Sequence, residues 1–349
     1  MVGNEIVFLG GLAAFLLSVL LLLLLYLVVR KAVENRRRAR IEKYKGSIEP
    51  ILFQYVMDGN LPNGLDLKTN DGRAASEELL VHYSGILEGE EEKANISSFA
   101  ELYLASHYRE KLRDRKWSQR LNALYHIEDF HLSGLEDDIL EYLRRRKLTR
   151  DEQVQCLNIL ASLQYADLSE LLMTHYSNFS CLEYRNMFSR LDQSLFAKFV
   201  ENFLVFPNEV QLAILDIISF RKEISYLGFC ENIFEASRGE ARLRALKAVA
   251  SIGYVSSSEN YLPLLQSADW QERMLAARLI GILQEQKGLN QLTDLLHDRV
   301  WWVRSQAGQS IMMFREGASV LSRVMEETDD AFARDMAWEC LNRRLFNYG

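Results

Sequence analysis

Four arginines, Arg242, Arg273, Arg304 and Arg334, recur at intervals of 31, 31 and 30 residues, and an alanine stands three places after each: Ala245, Ala276, Ala307 and Ala337. A period of this length marks stacked supersecondary units, none of which can bury its apolar face alone. A fuller form, W-x-x-R-x-x-A, appears at residues 117–123, 270–276 and 301–307. Gln211, Arg185 and Gln155 hold weaker versions of the arginine's place at spacings of 26, 30 and 35, and Arg120 closes a series of eight candidate units.

Each unit reads as two helices. The first carries an apolar i, i+3, i+4, i+7 stripe, as in Leu289, Leu292, Leu295 and Leu296, or Phe196, Phe199, Val200, Phe203 and Leu204. The second begins near Asp269, Asp298, Asn208 or Glu240, polar side chains able to accept the free N–H groups of a first turn. Alanine after the arginine lets the paired helix come close. Only four prolines interrupt 349 residues, which favours helix throughout, and 48% hydrophobic residues supply ample core.

These residues resemble the HEAT repeat family. Residues 260–283 are most similar to it, with a leucine–proline first helix, an acidic turn, Arg273 and Ala276 in the second helix and Gly281 near its end. The resemblance covers residues 109–345. It implies that an Asp and an Arg six residues apart bridge neighbouring pairs, as Asp298/Arg304 and Asp114/Arg120; Ser267 before Arg273 and Thr328 before Arg334 depart from that pattern and interrupt the ladder. The expected fold is an all-α solenoid of about eight HEAT-like helix pairs over residues 109–349. Residues 46–108, with helices expected at 51–57, 74–87 and 96–112, lack the repeat; they suit a polar cap at the end of the stack, with a separate recognition module as the alternative.

Residues 6–29 contain no charge. At 1.5 Å per residue they reach about 36 Å, enough to cross a hydrocarbon core of ~30 Å. A cleaved leader would have a shorter apolar region behind basic residues, whereas only residues 1–5, with Glu5 as their sole charged side chain, precede this one. The basic residues follow it: Arg30, Lys31, Arg36, Arg37, Arg38, Arg40, Lys43 and Lys45, opposed by Glu34 and Glu42. Cationic flanks stay in the cytoplasm, so the reading is a single-pass cell-membrane protein with its N-terminus outside, a membrane-surface basic segment at residues 30–45 and a cytosolic C-terminal body. The same cations could also recognise anionic lipid. Removing Glu5 and the run's net +6 from the chain's −7 leaves −12 for residues 46–349, which argues against nucleic acid as a partner.

Chemistry is hard to find. No phosphate-cradling glycine loop is present, and the closest histidines, His126 and His131, are five apart on diverging helix faces. The segment from Asp66 to Glu77 is arranged like part of a calcium loop, but Lys68 and Asp71 stand where an acid and a glycine belong. Cys156, Cys181, Cys230 and Cys340 show no metal or disulfide spacing, which suits a reducing compartment, and cytosolic placement would leave the Asn95 and Asn178 sequons unmodified. No cofactor, metal or small-molecule ligand is expected. Some HEAT-related proteins are lyases, but that alternative needs converging carboxylates that no spacing here provides. The tryptophans read either as packing between repeats or as an aromatic anchor on a concave face. Trp301 and Trp302 leave one helix about 100° apart, so one is expected to pack and one to be available. The expected function is a membrane-tethered scaffold that binds a protein, soluble or membrane-bound, on a concave face of second helices through Trp270, Trp301, Trp302, Arg334 and Trp338.

Overall fold

The structure, a computed structural model, describes residues 2–60, 69–145, 147–176 and 178–346. Residues 61–68, which hold the start of the calcium-loop-like segment, lie outside them. Every regular element among the described residues is helical. The chain divides into two compact units, Met1–Leu163 and Gln164–Gly349. The first contains α1 (Val2–Asp58), α2 (Asn70–Ile86), α3 (Glu90–Tyr103), α4 (Ala105–Lys111), α5 (Trp117–Asp129), α6 (Glu136–Leu143) and α7 (Arg150–Ser162). The second contains α8 (Leu168–His175), α9 (Cys181–Phe188), α10 (Gln193–Glu201), α11 (Asn208–Arg221), α12 (Leu227–Ala236), α13 (Gly239–Ile252), α14 (Trp270–Leu283), α15 (Leu289–Asp294), α16 (Trp301–Ile311), α17 (Gly317–Glu327) and α18 (Ala331–Phe346).

In α1 one helix does two jobs. Residues 8–40 are exposed, whereas Ile41, Leu52, Tyr55 and Val56 are buried against the rest of the unit. Tyr55 meets the Phe99 ring of α3 at 5.5 Å and Phe53 meets Tyr83 of α2 at 5.8 Å. The expected helix at 51–57 is thus the end of α1, which runs unbroken past Pro50. Thr69 starts α2 by accepting the Gly72 amide at 3.0 Å. The helix expected over 96–112 divides at Leu104 into α3 and α4.

All eight repeat places lie on helices: α5, α7, α9, α11, α13, α14, α16 and α18. Within the second unit each of these second helices packs on the next, and α12, α15 and α17 pack on the second helices that follow them. The five alanines three places after a repeat arginine, Ala123, Ala245, Ala276, Ala307 and Ala337, are all buried. First helices depart more from expectation. The stretch before α14 forms only 3-10 turns, Ser258–Asn260 and Leu262–Gln266, with Pro263 in the first turn of the latter, where its missing N–H costs nothing. The stripe Phe196, Phe199, Val200 and Phe203 is buried, but Leu204 is exposed because α10 ends at Glu201 and a 3-10 turn reorients the chain. Asp269 does cap α14, accepting from the Gln271 amide at 2.8 Å, and Asp298 accepts from Val300 at 2.8 Å. Asn208 and Glu240 cap nothing: each already lies inside its helix, and Glu240 pairs with Arg244 at 2.8 Å.

Candidate partner-binding face

The repeat arginine has a structural task set by its position. Arg120, Arg242, Arg273, Arg304 and Arg334 are each the fourth residue of a second helix. Helical side chains lean toward the N-terminus, so a long guanidinium there folds back over the preceding turn, whose carbonyls need donors. Four of them reach the carbonyl six residues back: Arg120 to Asp114 at 3.0 Å, Arg273 to Ser267 at 2.7 Å, Arg304 to Asp298 at 2.7 Å and Arg334 to Thr328 at 2.6 Å. Arg242 reaches Phe234 at 2.8 Å and lies over that ring. In α9 the fourth residue is Tyr184, whose hydroxyl donates to the Tyr176 carbonyl at 2.6 Å, while Arg185, the residue expected there, is exposed.

The same arginines also reach along the stack. Arg273 pairs with Asp298 of the next repeat through two hydrogen bonds, 2.6 and 3.0 Å long. Where the turn lacks an aspartate, the acid is supplied from the first turn of the following second helix. Glu272 takes Arg242 at 2.7 Å and Ser267 at 2.6 Å. Glu152 takes Arg120 at 2.7 Å and Tyr142 at 2.6 Å. The ladder therefore passes positions that Ser267 was expected to break. At Thr328 it does stop: Arg304 lies over the Phe332 ring at 5.1 Å, and its Nε is buried with no partner among the described residues. Asp114, expected to bridge, instead accepts the Lys116 amide at 2.8 Å.

The tryptophans lie outside this lattice. Trp117, Trp270 and Trp301 are first residues of α5, α14 and α16, and Trp302 is second in α16. Trp301 and Trp302 are 45% and 60% exposed and meet edge to face at 4.8 Å. The expectation that one of them packs into the stack is corrected: the buried seam of α16 begins only at Val303 and continues through Ala307 and Ile311. Both rings precede it. Trp270 is also exposed, and Trp338 lies about two turns along α18, half exposed, with Phe332 exposed on the same helix. Arg334 is exposed, with its guanidinium partly committed to the Thr328 carbonyl.

Residues 228–312, from α12 through α16, match the family model for HEAT repeats. The stretch from α12 through α16 is thus built of HEAT repeats. A crystal structure of an engineered protein aligns with 86% of the chain and 87% of its own length at 14% identity and a TM-score of 0.39. No curated protein sequence matches the chain.

HEAT-repeat stacks present extended surfaces on which other proteins dock. The charged centre of this one is Asp216 on α11, almost buried and surrounded by Arg244 at 2.6 Å, Arg185 at 3.6 Å and Lys247 at 3.9 Å. Arg244 also donates to the Cys181 sulfur at 3.0 Å. None of the four cysteines is in a disulfide, and burial pushes the Cys230 thiol up to about 12, a poor nucleophile at neutral pH. Among the described residues no group of three His, Cys, Asp or Glu side chains is placed to hold a metal.

Arg30, Lys31, Arg36, Arg37, Arg38 and Arg40, the cations expected at a membrane surface, are exposed along α1. Arg37 and Arg40 both turn toward Asp71 of α2, at 3.9 and 2.7 Å. That contact could not be read from spacing, because the partners are on different helices.

Proposed function

We propose that this HEAT-repeat chain is a membrane-tethered cytosolic scaffold that captures a protein partner on its second helices. The observation that carries the binding half is the exposed aromatic set Trp270, Trp301, Trp302, Phe332 and Trp338, large rings left in solvent beside a well-packed stack. Such rings dominate binding energy when a partner desolvates them. The partner is a helix or extended segment of a soluble or membrane-embedded protein.

The tether is supported by α1, the one helix among the described residues that is long and apolar enough to cross a membrane by length and composition. Its apolar part is wholly uncovered, and each such side chain gains about 1.5–3 kcal/mol on leaving water. On this reading residues 1–5 face out, 6–29 span, 30–45 meet the inner surface, 46–108 cap the stack and 109–349 form the binding solenoid. The full chain should capture a discrete protein from detergent-solubilised membranes. A reporter fused after Gly349 should be active only inside the cell; activity outside would overturn the orientation.

A further inference from the structure

Four permanent cations from three helices of the first unit surround one cavity of about 410 Å³: Arg37 and Arg40 on α1, Arg73 on α2 and Lys111 on α4. Two acids share it. Asp71 takes both α1 arginines, and Glu77 accepts the Tyr108 hydroxyl at 2.6 Å while lying 3.6 Å from His126 Nε2. Arg73 and Lys111 have only neutral partners. Arg73 donates to the Asn70 amide oxygen at 2.6 Å, and its Nε is buried without a partner; Lys111 donates to the Gln119 amide oxygen at 3.1 Å. Among the described residues neither meets a carboxylate within ion-pair distance. The surplus is local, because residues 46–100 as a whole carry −7. His107 in the cavity wall responds to it: burial first, then Arg73 and Lys111, hold its imidazole below its ordinary range, with Glu77 and Glu110 opposing.

We propose that this cavity binds a phosphate monoester, with Arg73 and Lys111 as its main charge partners and Arg37 and Arg40 closing on it from α1. A guanidinium fork matches two phosphate oxygens and an ammonium adds a point charge, so the pair suits a dianion better than a carboxylate. The cavity has the volume of a small-ligand site. Arg37 and Arg40 follow the apolar stretch by eight and eleven residues, about 12 and 16 Å along the helix. A phosphate carried outward on a sugar headgroup can reach that depth, and so can a soluble phosphate monoester. The lipid source rests on the membrane-tethered reading; the soluble source does not.

The test uses the full chain in phosphatidylglycerol nanodiscs and, in parallel, in detergent, titrated with inositol 1,4-bisphosphate. Saturable binding is expected, weakened about tenfold or more in Arg73→Gln and in Lys111→Gln, and unchanged in Lys247→Gln of the second unit. Should an inner variant fail to fold, Arg37→Gln, at an exposed position, carries the same test. Adding phosphatidylinositol 4-phosphate to the nanodiscs should weaken binding of the soluble probe if a headgroup occupies the cavity and leave it unchanged if the ligand is soluble. A chain that does not enter nanodiscs yet binds in detergent would overturn the tether and keep the site. Absence of saturable binding in both settings, or equal binding by wild type and the cavity variants, would overturn the site itself.

Discussion

Gly281→Val should be among the most damaging single changes in the second unit. A Cβ at Gly281 would lie 2.5 Å from the Cβ and 2.7 Å from the Cα of Ser310, which is buried where α14 and α16 meet. Neither backbone can yield without moving a helix. The expected cost is about 3 kcal/mol or more, a fall of roughly 6–12 °C in melting temperature for a unit of this size. Ala307→Trp, at a fully buried place in the same seam, should do likewise. Gly85, in α2 with open space around its Cβ, is the control: Gly85→Ala should melt no earlier than wild type. Wild-type melting of Gly281→Val would mean that α14 and α16 do not approach as described.

Glu152 should govern the acid stability of the first unit. Its carboxylate is fully buried. Burial alone would raise its pKa, but hydrogen bonds from Arg120, Tyr142 and Thr149 outweigh that and hold it at about 2, against an ordinary 4.5. A lowered carboxylate pKa contributes stability that is complete above the unfolded value and lost as pH falls through the folded one. The contribution, on the order of 3 kcal/mol at 1.36 kcal/mol per unit, should therefore disappear between about pH 4.5 and 2. Glu152→Leu should cost about 3–5 kcal/mol at neutral pH, because Arg120 and Tyr142 lose their shared acceptor. In Glu152→Gln the acid slope over that window should flatten. Denaturant melts at pH 7, 4.5 and 3 check both, and an unaltered slope in Glu152→Gln would remove the carboxylate from the account.

How much of this could be read from the residues depends on whether one residue type must do the job. The arginine period was legible because few side chains both span a turn and donate to its carbonyls, and the alanine because the helices touch there. Tyr184 hid the same role in α9, since a hydroxyl on a rigid ring replaces the guanidinium. Glu152 and Glu272 were not legible as ladder acids: they lie beyond the turn, and only the three-dimensional path of Arg120 and Arg242 finds them. The tryptophan pair was half legible. A 100° separation forbids one common pocket, but it does not require that either ring be packed, and the start of α16 stands clear of the seam. The cation cavity was invisible because Arg37, Arg73 and Lys111 meet only when three helices pack.

If the exposed rings hold a protein partner, the full chain captures that partner from detergent-solubilised membranes and loses it when a ring is removed. Wild type, Trp301→Ala, Trp302→Ala and Trp338→Ala should be compared alongside their melting curves. Near-wild-type melting is expected for all three, since each ring is at least 45% exposed, and for at least one of them a loss of about 2 kcal/mol or more in affinity for a partner that wild type retains. Three stable variants that keep every wild-type partner at unchanged affinity would contradict it.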